Sequence, residues 1–87
     1  MRSKDMEEEI GRVTHYYKKI GVVIIELSGG IRKGDKIAVR GKETNFEQSV
    51  GSIQIEHKEV ETASAGSAVG VKVDQKVREG DKVFKLS

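Results

Sequence analysis

His57 lies in "IEHKEVE", next to Glu56 and close to Glu59 and Glu61. One imidazole and three carboxylates are a donor set that a divalent cation can use. Strand geometry works against it. Neighbours on a strand point to opposite faces, so Glu56 and His57 diverge, and His57 falls in line with Ile53 and Ile55 at the rim of a core. His15 shares parity with Gly11 and Val13 and is read the same way. With no cysteine in the chain and no serine placed beside either ring, nothing resembles a nucleophile, base and orienting acid. The sequence therefore predicts no catalytic residue, no metal ligand and no cofactor.

A second pair of acids sits in a repeated stretch. "IRKGDKIAV" begins at Ile31 and "VREGDKVFK" at Val77, each a branched apolar residue, Arg, a charge, Gly, Asp, Lys and a branched apolar residue. Catalysis would need Asp35 and Asp81 each to meet the same kind of partner, and none is offered. A turn explains both better. Gly34 and Gly80 supply a positive φ, and each Asp bonds nearby backbone donors on entering the next strand. "SAGSAVGV" holds a third such turn at Gly66. A phosphate loop is excluded as well: Gly29 and Gly34 have the spacing, but Asp35 and Lys36 follow where Lys and Ser or Thr are required.

The third chemistry on offer is nucleic-acid contact. "HYYKK", His15 to Lys19, sets Tyr16 and Tyr17 beside Lys18 and Lys19, a pattern in which rings stack on bases and lysines meet phosphates. The plainer account has one tyrosine closing the end of the core, the other wet at its hydroxyl, and the lysines solvating a turn. Arg40 and Lys42 flank Gly41 in a second basic loop, and Arg32, Lys33 and Lys36 make a third. These loops form a patch only if they share one end of the fold.

The elements that must hold these residues are short. Eighty-seven residues make one small domain. From Ile10 onward, strand-like runs alternate with glycine-marked turns. "VVIIEL" suits a strand buried on both faces. "KIAVR" follows the first Gly-Asp turn, "VGSIQIEH" turns Ile53 and Ile55 inward, and "AVGVKV" turns Val69, Val71 and Val73 inward. Phe84, beside Val83 and Leu86, is read as core. No window supports a long amphipathic helix, and the pattern predicts an all-β sandwich or small barrel. Residues 1–9, "MRSKDMEEE", are expected to be a polar acidic leader, frayed or disordered, ahead of one β-barrel domain over residues 10–87.

Charge is high and nearly balanced: 16 basic against 14 acidic residues, net +2. The acids Asp5, Glu7, Glu8 and Glu9 outnumber Arg2 and Lys4 in the leader, which leaves the body mildly basic. That suits nucleic acid without requiring it. A surface rich in Lys, Arg and Glu also matches the thermophile habit, whereas the absence of proline does not. No apolar run is long enough to span a membrane and no secretory pattern opens the chain, so a cytoplasmic protein is expected.

"GRV", a buried strand, "IRKGDKIAVRG", "VGSIQIEH", "ASAGSAVGVKV" and "VREGDKVFKL", in that order, resemble the second-domain β-barrel of elongation factor Tu and related translation factors. Through "VTHYYKKIGVVIIEL" and "QIEHKEVE" the chain is more similar still to the C-terminal barrel of collagenase-like peptidases and to stand-alone copies of it. The resemblance covers about residues 10 to 86. It implies a small closed antiparallel barrel of about six or seven strands. It carries over neither GTPase nor peptidase chemistry, which belong to other domains of those families. It raises the expectation of contact with RNA, either tRNA or the ribosome, as a non-enzymatic accessory of translation or RNA modification. Tyr16, Tyr17, Lys18, Lys19, Arg32, Lys33, Arg40 and Lys42 are the residues that would make that contact. The alternative is a protein-interaction module that docks on a larger enzyme, such as a collagenase-like peptidase.

Overall fold

Apolar residues at alternate positions turn the chain into strands whose inner rows meet in one core. The computed structural model describes residues 7–86; within the expected leader, residues 1–6 lie outside them. Ten strands follow one another: β1 (Glu8–Tyr17), β2 (Val22–Leu27), β3 (Ile31–Arg32), β4 (Lys36–Arg40), β5 (Asn45–Ser49), β6 (Ile53–Ile55), β7 (Lys58–Val60), β8 (Thr62–Ala63), β9 (Ala68–Lys72) and β10 (Lys82–Leu86). Glu8 and Glu9, counted with the leader in the sequence, are strand residues.

Eight strands form one antiparallel sheet in the order β5-β4-β10-β1-β2-β9-β6-β7, and β3 pairs with β8 as a separate ribbon. The expected closed barrel of six or seven strands is therefore corrected. The sheet is open, with β5 and β7 as its edges. The chain leaves β7 to enter β8, and the β3–β8 ribbon takes up backbone groups near the gap: Lys33 N–H donates to Glu61 O at 2.8 Å and Gly34 N–H to Val50 O at 2.8 Å. Across the β5 edge a side chain replaces the ladder. Gln48 Nε2 donates to Lys72 O at 2.9 Å, and Asp74 N–H donates to Gln48 Oε1 at 2.8 Å.

The core gathers Ile10, Val13, Val23, Ile25, Ile37, Val39, Ile53, Val69, Val71 and Val83 with their neighbours into one cluster. "VVIIEL" is not buried on both faces. Val23, Ile25 and Leu27 are buried, but Val22 and Ile24 are only half-buried and Glu26 is exposed. Phe84 is likewise corrected. Val83 takes the inner position, so Phe84 faces outward, half-buried, opposite Ala38 of β4.

The repeated turn is architecture, and it occurs three times. Gly34, Gly66 and Gly80 have φ of 95°, 94° and 93°, the second central position of a type II turn. Each turn is closed from its last residue to its first: Asp35 to Arg32 at 3.0 Å, Ser67 to Ser64 at 3.2 Å and Asp81 to Arg78 at 3.1 Å. Each then grips one buried residue of another segment through both of its backbone groups. Gly34 and Asp35 hold Val50, Gly66 and Ser67 hold Leu27, and Gly80 and Asp81 hold Val13, with all six bonds between 2.8 and 2.9 Å. In the two Gly-Asp copies the carboxylate adds a bond back to the first turn residue: Asp35 Oδ2 accepts from Arg32 N–H and Asp81 Oδ2 from Arg78 N–H, both at 2.9 Å.

Candidate functional site

Both histidines lie elsewhere than strand parity places them. A bulge between Val13 and His15 shifts the β1–β2 register, so that Val13 pairs with Ile25 and His15 with Ile24. The extra residue reverses the faces beyond it. Tyr16 then packs against the core, while His15 and Tyr17 turn out to solvent. His15 Nδ1 lies 3.2 Å from Glu79 Oε2, and its ring meets that of Tyr17 edge-on at 4.3 Å. His57 is not on a strand. Glu56 and His57 form the two-residue turn between β6 and β7, with φ of 51° and 69°. Among the described residues no group of three His, Cys, Asp or Glu side chains is placed to hold a metal ion.

The basic residues divide between two ends of the sheet. Lys36 of β4 pairs with Leu86 of β10, and Arg40 with Lys82. Arg32 and Lys33 therefore precede one end of β4, whereas Arg40 and Lys42 stand at the other, about 13 Å away or more at ~3.3 Å per residue. Lys82 also pairs with Arg12, which sets Arg40 level with Arg12 and five residues short of Tyr17. "HYYKK" starts on the part of β1 that runs past β10 and β4, where β1 pairs with β2 alone. Two of the cations are also engaged. Arg40 makes a two-pronged contact with Glu7, 2.8 Å from Nη2 and 3.4 Å from Nε, and it also reaches Asn45 and Glu47. Lys33 Nζ is 3.2 Å from Glu59. The structure does not gather the three loops into one patch.

It gathers an apolar hollow instead. Val22 and Ile24 on the outer face of β2, Ala68 and Gly70 on β9 and Gln54 on β6 form its floor, with Tyr17 and Ile20 on one side and the Glu56–His57 turn on another. Its volume is about 530 Å³. Tyr17 at 47% exposure and Ile20 at 61% are the exposed large hydrophobic residues of the described chain, and both stand here. Sequence reasoning missed the site. Its signals are an isoleucine placed after two lysines in a turn, and a strand apolar at both parities opposite a glycine in the next strand.

No family model matches the sequence. The chain is 49% identical over 85 residues to an uncharacterised protease of Methanocaldococcus jannaschii, an alignment covering 97% of this chain and 21% of that protein. It is 33% identical over 79 residues to a collagenase of Porphyromonas gingivalis, covering 88% of this chain and 22% of the collagenase. The crystal structure of the C-terminal domain of a Geobacillus thermoleovorans protein, described as a U32 peptidase, superposes with a TM-score of 0.86 at 23% identity, covering 100% of this chain and 98% of that one. The selenomethionine form of that domain gives 0.83 at 25% identity, over 87% and 96% of the two chains.

This chain is similar to the C-terminal domain of a U32 peptidase.

It spans about a fifth of the length of the curated relatives it matches. The collagenase-like half of the sequence resemblance is thereby supported. None of these relatives is a translation factor, and the open sheet also departs from the barrel which that comparison implied.

Proposed function

We propose that this chain is a non-catalytic accessory domain of the U32 peptidase type, which binds the catalytic portion of such a peptidase, in cis or in trans. One observation carries the reading: nearly the whole chain matches only a fifth of a protease, at 49% identity. Hydrolysis on this view belongs to the other four-fifths. Both histidines are exposed, His15 beside Glu79 and His57 in a two-residue turn, which agrees with that division. RNA contact has weaker support, because Arg40 and Lys33 are held by carboxylates and the basic loops lie at opposite ends of β4. The described residues contain no helix long and apolar enough to cross a membrane, and we read the site of action as cytoplasmic.

The test uses the M. jannaschii protease with its matching segment deleted and checked for fold, titrated calorimetrically with this chain at low and high salt. The reading expects association that changes little with salt, as for an apolar interface. No association with the peptidase would overturn it, above all if bulk tRNA bound with an affinity falling steeply with salt and lost in the Lys18→Glu, Lys19→Glu variant.

A further inference from the structure

We propose that the hollow over β2 and β9 is the surface on which the peptidase docks, and that it receives an apolar segment of the catalytic portion flanked by acidic side chains. The inference rests on the accessory-domain reading and specifies its interface.

Three features of the hollow support it. The first is concentration. Among the described residues the exposed large hydrophobic side chains, Tyr17 and Ile20, both stand here, over half-buried Val22 and Ile24. Register explains the grouping, since Tyr17 pairs with Val22, Ile24 with Gly70, and Gly70 with Gln54 across successive ladders. Gly70 deepens the floor, as a Cβ there would reach Val22 Cγ1 at 3.4 Å and Ile24 Cδ1 at 3.7 Å. An apolar hollow edged by polar groups is the form of a protein-binding anchor site.

The second feature is charge. Lys18 and Lys19 join Tyr17 to Ile20 along one wall, and Lys72 pairs with Val22 at its edge. The far wall answers with Glu56. The acids that pair with floor residues, Glu26 with Ala68 and Glu59 with Gln54, lie against Arg12 and Lys33. The positive charge of the hollow is therefore concentrated on the Lys18–Lys19 wall, and a segment bearing acidic residues is the electrostatic complement of that wall.

The third is backbone strain. A two-residue hairpin with positive φ at both positions favours Asn-Gly or Asp-Gly, yet Glu56 and His57 occupy it at 51° and 69°. These side chains weaken the turn and form the wall of the hollow, where strain accompanies binding surfaces. The choice of occupant rests on proportion, because in the relatives four-fifths of the protein lies outside this domain and is joined to it in one chain.

The experiment measures affinity of this chain for the same segment-deleted protease, using Ile20→Asp, Ile24→Ser and Lys19→Glu, with Arg32→Glu as the control at the other end of the sheet. Circular dichroism checks each fold, and Ile20, exposed in a turn, keeps the test open if Ile24→Ser destabilises the chain. Expected are losses of about tenfold or more for Ile20→Asp and Ile24→Ser, a smaller loss for Lys19→Glu, and wild-type affinity for Arg32→Glu. Wild-type binding retained in Ile20→Asp and Ile24→Ser would overturn the docking face and leave the accessory-domain reading intact. No binding by the wild-type chain would overturn both.

Discussion

Asp35 and Asp81 occupy the same place in the same turn, yet their replacement by alanine should differ in cost. Each Oδ2 accepts from the first turn residue at 2.9 Å. Asp81 is 5% exposed and its bond part-buried, whereas the Asp35 side chain is 19% exposed and shares its carboxylate with Lys85 at 3.5 Å. A bond to a charged acceptor is worth about 1.5–3 kcal/mol, and a buried donor left without a partner loses its full desolvation energy. Water can replace the carboxylate at Arg32 but reaches Arg78 less readily. Asp81→Ala should therefore cost about 2–3 kcal/mol and Asp35→Ala about 1 kcal/mol. With a urea dependence of about 1 kcal/mol per molar for so small a domain, the two midpoints should lie roughly 1–2 M apart. Asp81→Asn, which keeps an oxygen acceptor, should fall between wild type and Asp81→Ala. Equal midpoints for the two alanine variants, or Asp35→Ala as the less stable one, would refute the assignment of the difference to burial.

Gly41→Ala should cost about 2 kcal/mol, because the new Cβ would overlap Asp81 Oδ1 and sit 2.6 Å from Cγ; in an Asp81→Ala background the same change should cost far less, and a double-mutant cycle from urea unfolding measures that coupling. His57→Gly should raise stability by about 0.5–1 kcal/mol by relieving a left-handed non-glycine residue, and thermal unfolding reads it as a higher Tm. Gln48→Ala removes the side-chain clasp on Lys72 and Asp74, which should cost about 1–2 kcal/mol and speed hydrogen exchange at the Asp74 amide while the amides of β2 stay protected.

Much of the fold was legible because alternation and glycine are local signals. The Gly34, Gly66 and Gly80 turns, the inward rows of β6 and β9 and the absence of helix among the described residues all follow from a few neighbouring residues. Sheet closure was not legible, because it depends on which segment meets which edge. "NFEQS", with one buried aromatic among polar residues, gives little sign of the edge strand β5, and the two-residue strands β3 and β8 exist only through each other. The histidines were misplaced for a related reason. Parity holds until a bulge intervenes, and nothing in "VTHYY" marks Thr14 as the extra residue. The two tyrosines nevertheless divide as the plainer reading had it, Tyr16 against the core and Tyr17 at the surface. The hollow stayed hidden because outward-facing apolar residues on β1, β2 and β9 are brought together only by the ladders between them.

The position of β10 in the sheet bears on when the fold can form. The last of the described strands lies between β4 and β1, so that Lys85 pairs with both Glu8 and Ile37. Until it is in place, the sheet consists of two pieces, β5-β4 and β1-β2-β9-β6-β7, with no ladder between them. During synthesis at about 5–20 residues per second, the earlier strands leave the ribosome seconds before the one that joins them. For that interval β1 and β4 each present an unpaired edge, and Ile37, Val39 and Val83 wait for one another. Completion is thus tied to the end of this segment, whatever chain follows it, and a nascent domain stalled before Lys82 would be a target for chaperones or proteases instead of a smaller version of the finished fold.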